Sequence, residues 1–352
     1  MPSLSNQHFD LYSAIHVPET HSWPPIHLHD HPIADSSSSI PVIDISDPDA
    51  ASMIGAACRS WGAFYATSHG VPPDLLNLVE SHARSLFSLP LHRKLLTARR
   101  DGSLSGYGHP PLSSFFPKLM WSEGFTLAGE PLGVASQLGP IIDSSSFCEV
   151  MKAYRKEMKK LAARLMRLML LSLGLHEDEV AQVGPLKELS DAAEVIQLNS
   201  YPACPEPERA IGMAAHTDSA LLTVLHQSDG ACGLQVLRCG SGSESAQWVE
   251  VPHRPETLVV NVGDLFHILS NGRFKNVRHR ALVSKANHRI SAAYFMGPPG
   301  DLKVGSVEKV VDLGVGPIYR PVTWPEYLGI RTRLFDKALE SLKFHEVGLE
   351  KD

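Results

Sequence analysis

Short apolar runs alternate with turn-forming residues from residue 192 onward. Runs of about four to eight apolar residues, bounded by Gly, Pro, Asn and Asp, are typical of β-strands. Because the runs follow one another closely, they predict a barrel or jelly roll. They occupy residues 195–198, 221–225, 234–237, 258–262, 277–283 and 290–295.

Strand-like and helical segments alternate between residues 40 and 90. The segments Pro41–Ile45 and Ala63–Thr67 are apolar and read as strands. A helical stretch follows Asp47, and Pro72 opens a second helix. This part of the chain is therefore predicted to be a mixed α/β region.

Two further helices are predicted from apolar residues spaced three and four apart. One amphipathic helix runs from Phe147 to Leu173, with Lys and Arg on its polar side, and ends at Gly174. The other covers about residues 324–342. We expect the last helix to pack against the core.

These patterns divide the chain into four regions. Residues 1–39 form an irregular arm rich in His, Pro and Ser, and residues 40–190 form the mixed α/β region. Residues 191–305 form the β core, and residues 306–352 form a C-terminal helical segment. A His-rich stretch at residues 27–31 has nothing around it to orient its rings, so it is not taken as a metal site.

Composition and charge limit the kind of partner. The formal net charge of −6 and a pI near 6.3, with scattered Lys and Arg, argue against a nucleic-acid or membrane surface. The five cysteines are widely spread, as expected for free thiols in a reducing compartment. No signal peptide or membrane span is recognisable, which predicts a cytoplasmic protein, and we expect a monomer.

The pattern His-x-Asp occurs three times, and its context selects one occurrence. His8/Asp10 lies in the arm and His176/Asp178 in an acidic loop, whereas His216/Asp218 adjoins a predicted strand. Residues two apart on an extended chain face the same side, so His216 and Asp218 can bind one ion. An iron(II) oxygenase site needs a second histidine and leaves three positions open for a keto acid and oxygen.

Two later histidines compete for the role of third ligand. His279 alternates with Val277, Ala281 and Val283, which places its imidazole among apolar side chains. His267 also stands in an apolar stretch. A lone buried histidine is more often a hydrogen-bonded core residue than a ligand, so spacing favours His279 without excluding His267.

A candidate carboxylate clamp follows at Arg289-Ile290-Ser291, where two polar side chains share one face of a predicted strand. Arginine grips a carboxylate with two parallel hydrogen bonds, and the serine hydroxyl adds a third. A dicarboxylate bound at the metal would be held at its far end.

The combination of His216-x-Asp218, His279 and Arg289-x-Ser291 resembles the signature of plant 2-oxoglutarate-dependent dioxygenases. The segments Ser113–Phe116, Lys118–Thr126 and Leu265–Gly272 resemble gibberellin 3-beta-dioxygenases in particular. The resemblance selects His279 over His267 as the third ligand.

The resemblance implies a double-stranded β-helix (jelly-roll) core flanked by helices, of the α+β class, and an Fe(2+) cofactor with 2-oxoglutarate and O2 as co-substrates. It also implies that Tyr201 contacts 2-oxoglutarate and that ascorbate supports activity. The catalytic group is then His216, Asp218, His279 and Arg289. The expected reaction is hydroxylation of the A ring of a C19 gibberellin, at the 3-beta position.

Two departures keep other functions open. Ser219-Ala220 stands where the family usually has Ser-Thr, and residues 127–146 match it poorly. The alternatives are gibberellin oxidation at C-1 or C-2, a related dioxygenase acting on another hydrophobic acid or phenolic, and a non-catalytic jelly-roll hormone-binding protein. Met120, Trp121, Phe125 and Phe116 could line an apolar substrate pocket.

Overall fold

Two β-sheets form the centre of the described structure. The computed structural model describes residues 9–24, 39–100, 103–128, 144–187, 191–230, 232–239, 245–311 and 316–344. The His-rich stretch at 27–31, His8 and most of the poorly matching segment 127–146 lie outside these ranges.

The larger sheet has eight strands in the order β1-β2-β10-β7-β12-β5-β4-β3, and only the β1–β2 pair is parallel. Strands from the N-terminal half extend it at both sides. Its strands are β1 (Val42–Asp44), β2 (Ala63–Thr67), β3 (Gly106–Gly108), β4 (Glu123–Ala128), β5 (Glu194–Tyr201), β7 (Leu222–Gln227), β10 (Leu258–Val262) and β12 (Arg289–Met296).

The smaller sheet has four antiparallel strands in the order β6-β11-β8-β9. These strands are β6 (Met213–His216), β8 (Leu234–Arg238), β9 (Gln247–Glu250) and β11 (His279–Ala281). Leu225 and Val259 of the larger sheet pack with Val236 and Val249 of the smaller one in a single apolar cluster. The two sheets therefore face each other, as a jelly roll requires.

Helices cover the outer face of the larger sheet, where the main apolar core lies. The longest begins at Ser144 and ends at Leu171, which confirms the predicted amphipathic helix within a few residues. Gly174 follows with a positive φ, as expected at a helix end. The helices are α1 (Ala50–Ser60), α2 (Pro73–Phe87), α3 (Leu91–Lys94), α4 (Ser144–Leu171), α5 (Glu177–Gln182), α6 (Gly184–Lys187), α7 (Asp264–Leu269) and α8 (Trp324–Leu334).

The prediction of one final helix over residues 324–342 is wrong. Helix α8 ends at Leu334, and Phe335 has a φ of 42° that an α-helix cannot contain. Two short 3-10 turns follow, at Phe335–Lys337 and Glu340–Leu342. None of the helices in the described ranges is both long and apolar enough to cross a bilayer.

The described part of the N-terminal arm packs against the β core. Its only helix or strand within residues 9–24 is a 3-10 turn at Glu19–His21. Trp23 is buried and its indole N–H donates to the carbonyl oxygen of Leu119, while the Tyr12 hydroxyl lies 2.7 Å from that of Ser200. The four-region division of the chain remains a prediction.

Candidate active site

Three side chains that the sequence singled out converge between β6 and β11. His216 ends β6, His279 begins β11 directly opposite it, and Asp218 lies two residues after β6 ends. Asp218 Oδ1 is 3.8 Å from Nε2 of each histidine, and the three ligand atoms lie within 4.8 Å of one another. Among the described residues, this is the one group of His, Cys, Asp and Glu with such spacing.

Both imidazoles are oriented by the backbone. Nδ1 of His216 donates to the carbonyl oxygen of Ala214 at 2.8 Å, and Nδ1 of His279 donates to that of Val277 at 3.2 Å. Because a carbonyl only accepts, each Nδ1 carries a proton, and Nε2 is the ring nitrogen that can ligate a metal. Burial, together with the neighbouring His279, lowers the pKa of His216, so its ring is neutral and ready to ligate.

The carboxylate of Asp218 is charged although it is buried. Burial acts to raise its pKa, but His279, His216 and the Thr223 hydroxyl outweigh that effect and hold the pKa below its ordinary value. The Thr223 hydroxyl donates to Oδ2 at 2.7 Å, which leaves Oδ1 facing the two imidazoles. Two imidazole nitrogens and one carboxylate oxygen suit iron(II) with open coordination positions.

His267, the rival third ligand, has a different environment. It lies on α7, where its Nδ1 donates to the carbonyl oxygen of Phe274 at 2.6 Å and its Nε2 is 2.9 Å from the Tyr319 hydroxyl. Both ring nitrogens are therefore engaged in the core. Of the other His-x-Asp pairs, Asp178 lies exposed in the first turn of α5.

Arg289 is a buried cation at the start of β12. Its Nη2 donates to Oε1 of Gln227 at 2.9 Å, and its guanidinium carbon lies 4.8 Å from the centre of the Tyr201 ring. Nε and Nη1 are buried and have no partner of acceptable hydrogen-bond geometry among the described residues. A buried guanidinium with two unused donors is suited to a carboxylate ligand.

Ser291 and Tyr201 complete this corner of the barrel. Tyr201 pairs with Arg289 across β5 and β12, and Ser291 pairs with Gln227 across β12 and β7. The Tyr201 phenol lies beside both Arg289 and Ser291, and burial raises its pKa, so it remains a neutral hydroxyl. The predicted clamp residues are thus brought together.

One strand connects the predicted clamp to the candidate metal ligands. Thr223, which bonds Asp218, and Gln227, which bonds Arg289, lie on the same face of β7, about 13 Å apart along the strand. Sequence reasoning missed both residues. Their signal was two polar side chains four positions apart in a mainly apolar strand.

An apolar wall adjoins His216. Ala214 shares the face of β6 with His216 and packs with Trp23, Met120 and Ile211, and Phe116 packs against this cluster. Met120 and Phe116 therefore belong to the apolar cluster around Ala214, next to His216. Trp121 packs instead with His21 and Phe9, and Phe125 packs with Phe87 and Tyr107 under the helices.

Two family models match the chain. Residues 192–298 match the 2OG-Fe(II) oxygenase superfamily. Residues 40–161 match the family described as non-haem dioxygenase in morphine synthesis N-terminal. Both the core and the region before it therefore have counterparts among dioxygenases.

Curated relatives match along nearly the whole chain. Gibberellin 3-beta-dioxygenase 1 of Pisum sativum is 44% identical and covers 97% of this chain and 94% of its own length. Gibberellin 3-beta-dioxygenase 1 of Arabidopsis thaliana is 46% identical, with 96% and 93% covered. These matches confirm the resemblance seen in the sequence motifs.

Solved structures have the same fold. A crystal structure of JOX2 in complex with 2OG, Fe and JA superposes with a TM-score of 0.81 at 29% identity and covers 95% of each chain. That of a rice dioxygenase for auxin oxidation gives a TM-score of 0.71 at 30% identity, covering 87% of this chain and 100% of the other. The double-stranded β-helix prediction is confirmed.

Proposed function

This chain belongs to the 2OG-Fe(II) oxygenase superfamily, and on that premise we propose that it hydroxylates the A ring of a C19 gibberellin at the 3-beta position. It is a 2-oxoglutarate-dependent dioxygenase that acts on a small molecule with iron(II) as cofactor. The observation that carries the substrate proposal is the near-full-length identity of 43–46% to several plant gibberellin 3-beta-dioxygenases.

In this proposal His216, Asp218 and His279 hold the iron. The support is their 3.8 Å spacing, their fixed tautomers and the charged state of Asp218. When bound, iron(II) with 2-oxoglutarate and O2 supplies the oxidising chemistry that converts a C–H bond to C–OH, with release of succinate and CO2. The protein's own residues fix the ion on one side, so that the other side stays open.

Arg289, Ser291 and Tyr201 would hold the distal carboxylate of 2-oxoglutarate. Two donor atoms of Arg289, Nε and Nη1, are free to donate to a carboxylate, and the Tyr201 and Ser291 hydroxyls lie on the same side of the barrel. Gln227 keeps the guanidinium in place by accepting from Nη2. This clamp gives the co-substrate one orientation relative to the three metal ligands.

The apolar wall of Trp23, Met120, Ala214 and Phe116 would receive the hydrocarbon skeleton of the substrate. Apolar side chains beside His216 exclude water from the reacting region and leave orientation to shape. Such a wall discriminates between neighbouring ring carbons by small displacements, because a shift of about 1 Å changes reaction rates by orders of magnitude. The position of attack on the A ring is therefore the most specific claim of the proposal.

Product analysis tests the proposal. Purified protein is incubated with iron(II), ascorbate, 2-oxoglutarate and a 3-deoxy C19 gibberellin, and products are compared with standards by mass spectrometry. A dominant 3-beta alcohol, with stoichiometric succinate, supports it. A dominant C-1 or C-2 alcohol overturns the position of attack but keeps the substrate.

Other outcomes overturn the substrate. Turnover of another hydrophobic acid or a phenolic, with no gibberellin product, would assign a different substrate class. Tight gibberellin binding without succinate release would favour a hormone-binding protein. We also propose that the protein is a cytoplasmic monomer, which light scattering and cell fractionation would check.

A further inference from the structure

Asp264, the first residue of α7, contacts both segments that carry the candidate metal ligands. Its backbone N–H donates to the carbonyl oxygen of Asp218 at 2.8 Å, and its Oδ2 accepts from the Thr217 hydroxyl at 3.2 Å. Its Oδ1 accepts from the side-chain amide of Asn276 at 2.7 Å. Asn276 precedes Val277, whose carbonyl orients the His279 ring.

The same carboxylate also holds helix α8. Oδ2 of Asp264 accepts from the Tyr327 hydroxyl at 2.7 Å and from Nη1 of Arg331 at 3.0 Å. Nη2 of Arg331 donates to the carbonyl oxygen of Thr217 at 2.9 Å, and Thr217 lies between His216 and Asp218 in the chain. Arg331 therefore connects helix α8 to the backbone of the loop at residues 216–220, which carries two of the candidate metal ligands.

These groups are shielded from water, so their interactions are worth more than on the surface. The side chain of Asp264 is 2% exposed and that of Arg331 is 13% exposed. The beginning of α7 is also pressed against the loop, because a Cβ on Gly263 would collide with the carbonyl oxygen of Ala220. The loop can therefore shift only if α7 or α8 shifts with it.

We propose that Asp264, Arg331 and Tyr327 form a positioning unit that couples the docking of helix α8 to the metal affinity of the site. This inference rests on the proposed assignment of His216, Asp218 and His279 as ligands. None of the three positioning residues belongs to the ligand set, so their effect passes through Thr217 and Asn276. Removing a residue that holds metal ligands in place through hydrogen bonds typically lowers metal affinity about 10- to 100-fold.

The coupling is reciprocal. If docking of α8 strengthens metal binding, then metal binding must stabilise the docked helix by the same factor. Without Arg331, Asp264 loses its only cationic partner among the described residues, and the Thr217 carbonyl loses its donor. The loop then has more freedom, and ordering its ligands around an ion costs more of the binding free energy.

The test compares Arg331→Met with Arg333→Met in the metal-free full-length protein. Arg333 is exposed on the same helix and provides the matched control. Cobalt(II), which takes the same nitrogen and oxygen ligands, is titrated, and its visible spectrum reports the ligand geometry. We expect affinity to fall about 10- to 100-fold with an altered spectrum in Arg331→Met, and to change less than about twofold in Arg333→Met.

Hydrogen exchange supplies a second readout. Cobalt should slow exchange of the α8 amides in the wild-type protein and do so less in Arg331→Met. If that variant does not fold, Tyr327→Phe and Arg331→Lys test the same unit, with smaller losses expected. A folded Arg331→Met protein with wild-type cobalt affinity and spectrum overturns the proposal.

A reference variant separates this inference from the ligand assignment. Loss of cobalt binding in His279→Ala, together with unchanged binding in Arg331→Met, overturns only the positioning role. Unchanged binding in both variants overturns the metal site itself. Neither result depends on which organic substrate the enzyme uses.

Discussion

Replacing Arg289 by lysine isolates the contribution of the planar guanidinium to co-substrate binding. Arg289 donates to Gln227 through Nη2, while Nε and Nη1 have no partner of acceptable hydrogen-bond geometry among the described residues. Lysine has one nitrogen, so it offers fewer donors and cannot keep the bond to Gln227 while also replacing both Nε and Nη1. Loss of one charge-assisted hydrogen bond costs about 1.5–3 kcal/mol, which weakens 2-oxoglutarate binding about 10- to 150-fold.

The kinetic assay measures succinate formation against 2-oxoglutarate concentration at saturating organic substrate. The apparent KM for 2-oxoglutarate should rise within that range in Arg289→Lys, while the KM for the organic substrate stays nearly constant. Arg333→Lys, on an exposed position, is the control and should leave both constants unchanged.

The rise in Tm on adding 2-oxoglutarate, measured with iron(II) in the absence of oxygen, reports the free energy of 2-oxoglutarate binding without turnover. At 100 times the wild-type Kd, the ligand stabilises the wild-type protein by about 2.7 kcal/mol and the variant by about 0.3–1.4 kcal/mol. With an unfolding entropy of about 2.1 cal/mol/K per residue over 352 residues, Tm rises by about 4 °C and by about 0.4–2 °C respectively. Equal shifts in the two proteins would refute the role of Arg289.

Three further predictions concern the ligands, the packing of α7 and buried histidines. Alanine at any candidate ligand should abolish metal binding in a titration, whereas His267→Ala should retain it and lose about 1–3 kcal/mol of stability through its two core hydrogen bonds. Gly263→Ala should lower stability in urea by about 1–3 kcal/mol because its Cβ meets the Ala220 carbonyl, while Gly300→Ala, with open space around its Cβ, should not. Burial lowers the pKa of His226 to about 4, below its ordinary 6.5. As pH drops, the unfolded chain therefore takes up a proton first, and the free energy of unfolding falls between about pH 6.5 and 4. In His226→Gln this free energy should fall less steeply between pH 7 and 5, and an identical fall would contradict the prediction.

Most strands of the β core were predictable because their apolar residues alternate or form continuous runs. The runs around β5, β7, β8, β10 and β12 were all found, with ends that differ by a few residues. Strands β6 and β9 were missed, since Met213–His216 and Gln247–Glu250 are short and mix polar with apolar residues. Their pairing with neighbouring strands, rather than local pattern, makes them extended.

The candidate site was only partly predictable from local pattern. His267 and His279 both stand among apolar residues, and what separates them is distant in sequence: Tyr319 engages the first, and His216 faces the second. The break in the final helix was also not visible in the sequence, because Phe335 fits the spacing of apolar residues that predicted the helix. Stacking of Phe335 on Phe115, which comes from far earlier in the chain, accompanies the break.

The larger sheet takes strands from the N-terminal half at both of its sides, with β2 against β10 and β4 against β5. During synthesis, β2 and β4 are made long before the strands that they finally adjoin, so their open edges persist while the rest of the chain is added. A fragment limited to residues 191–305 would carry the candidate metal ligands but expose the edges of β10 and β5. Such a fragment should aggregate rather than bind metal as a folded unit, and slow synthesis at low temperature should favour the yield of the whole chain.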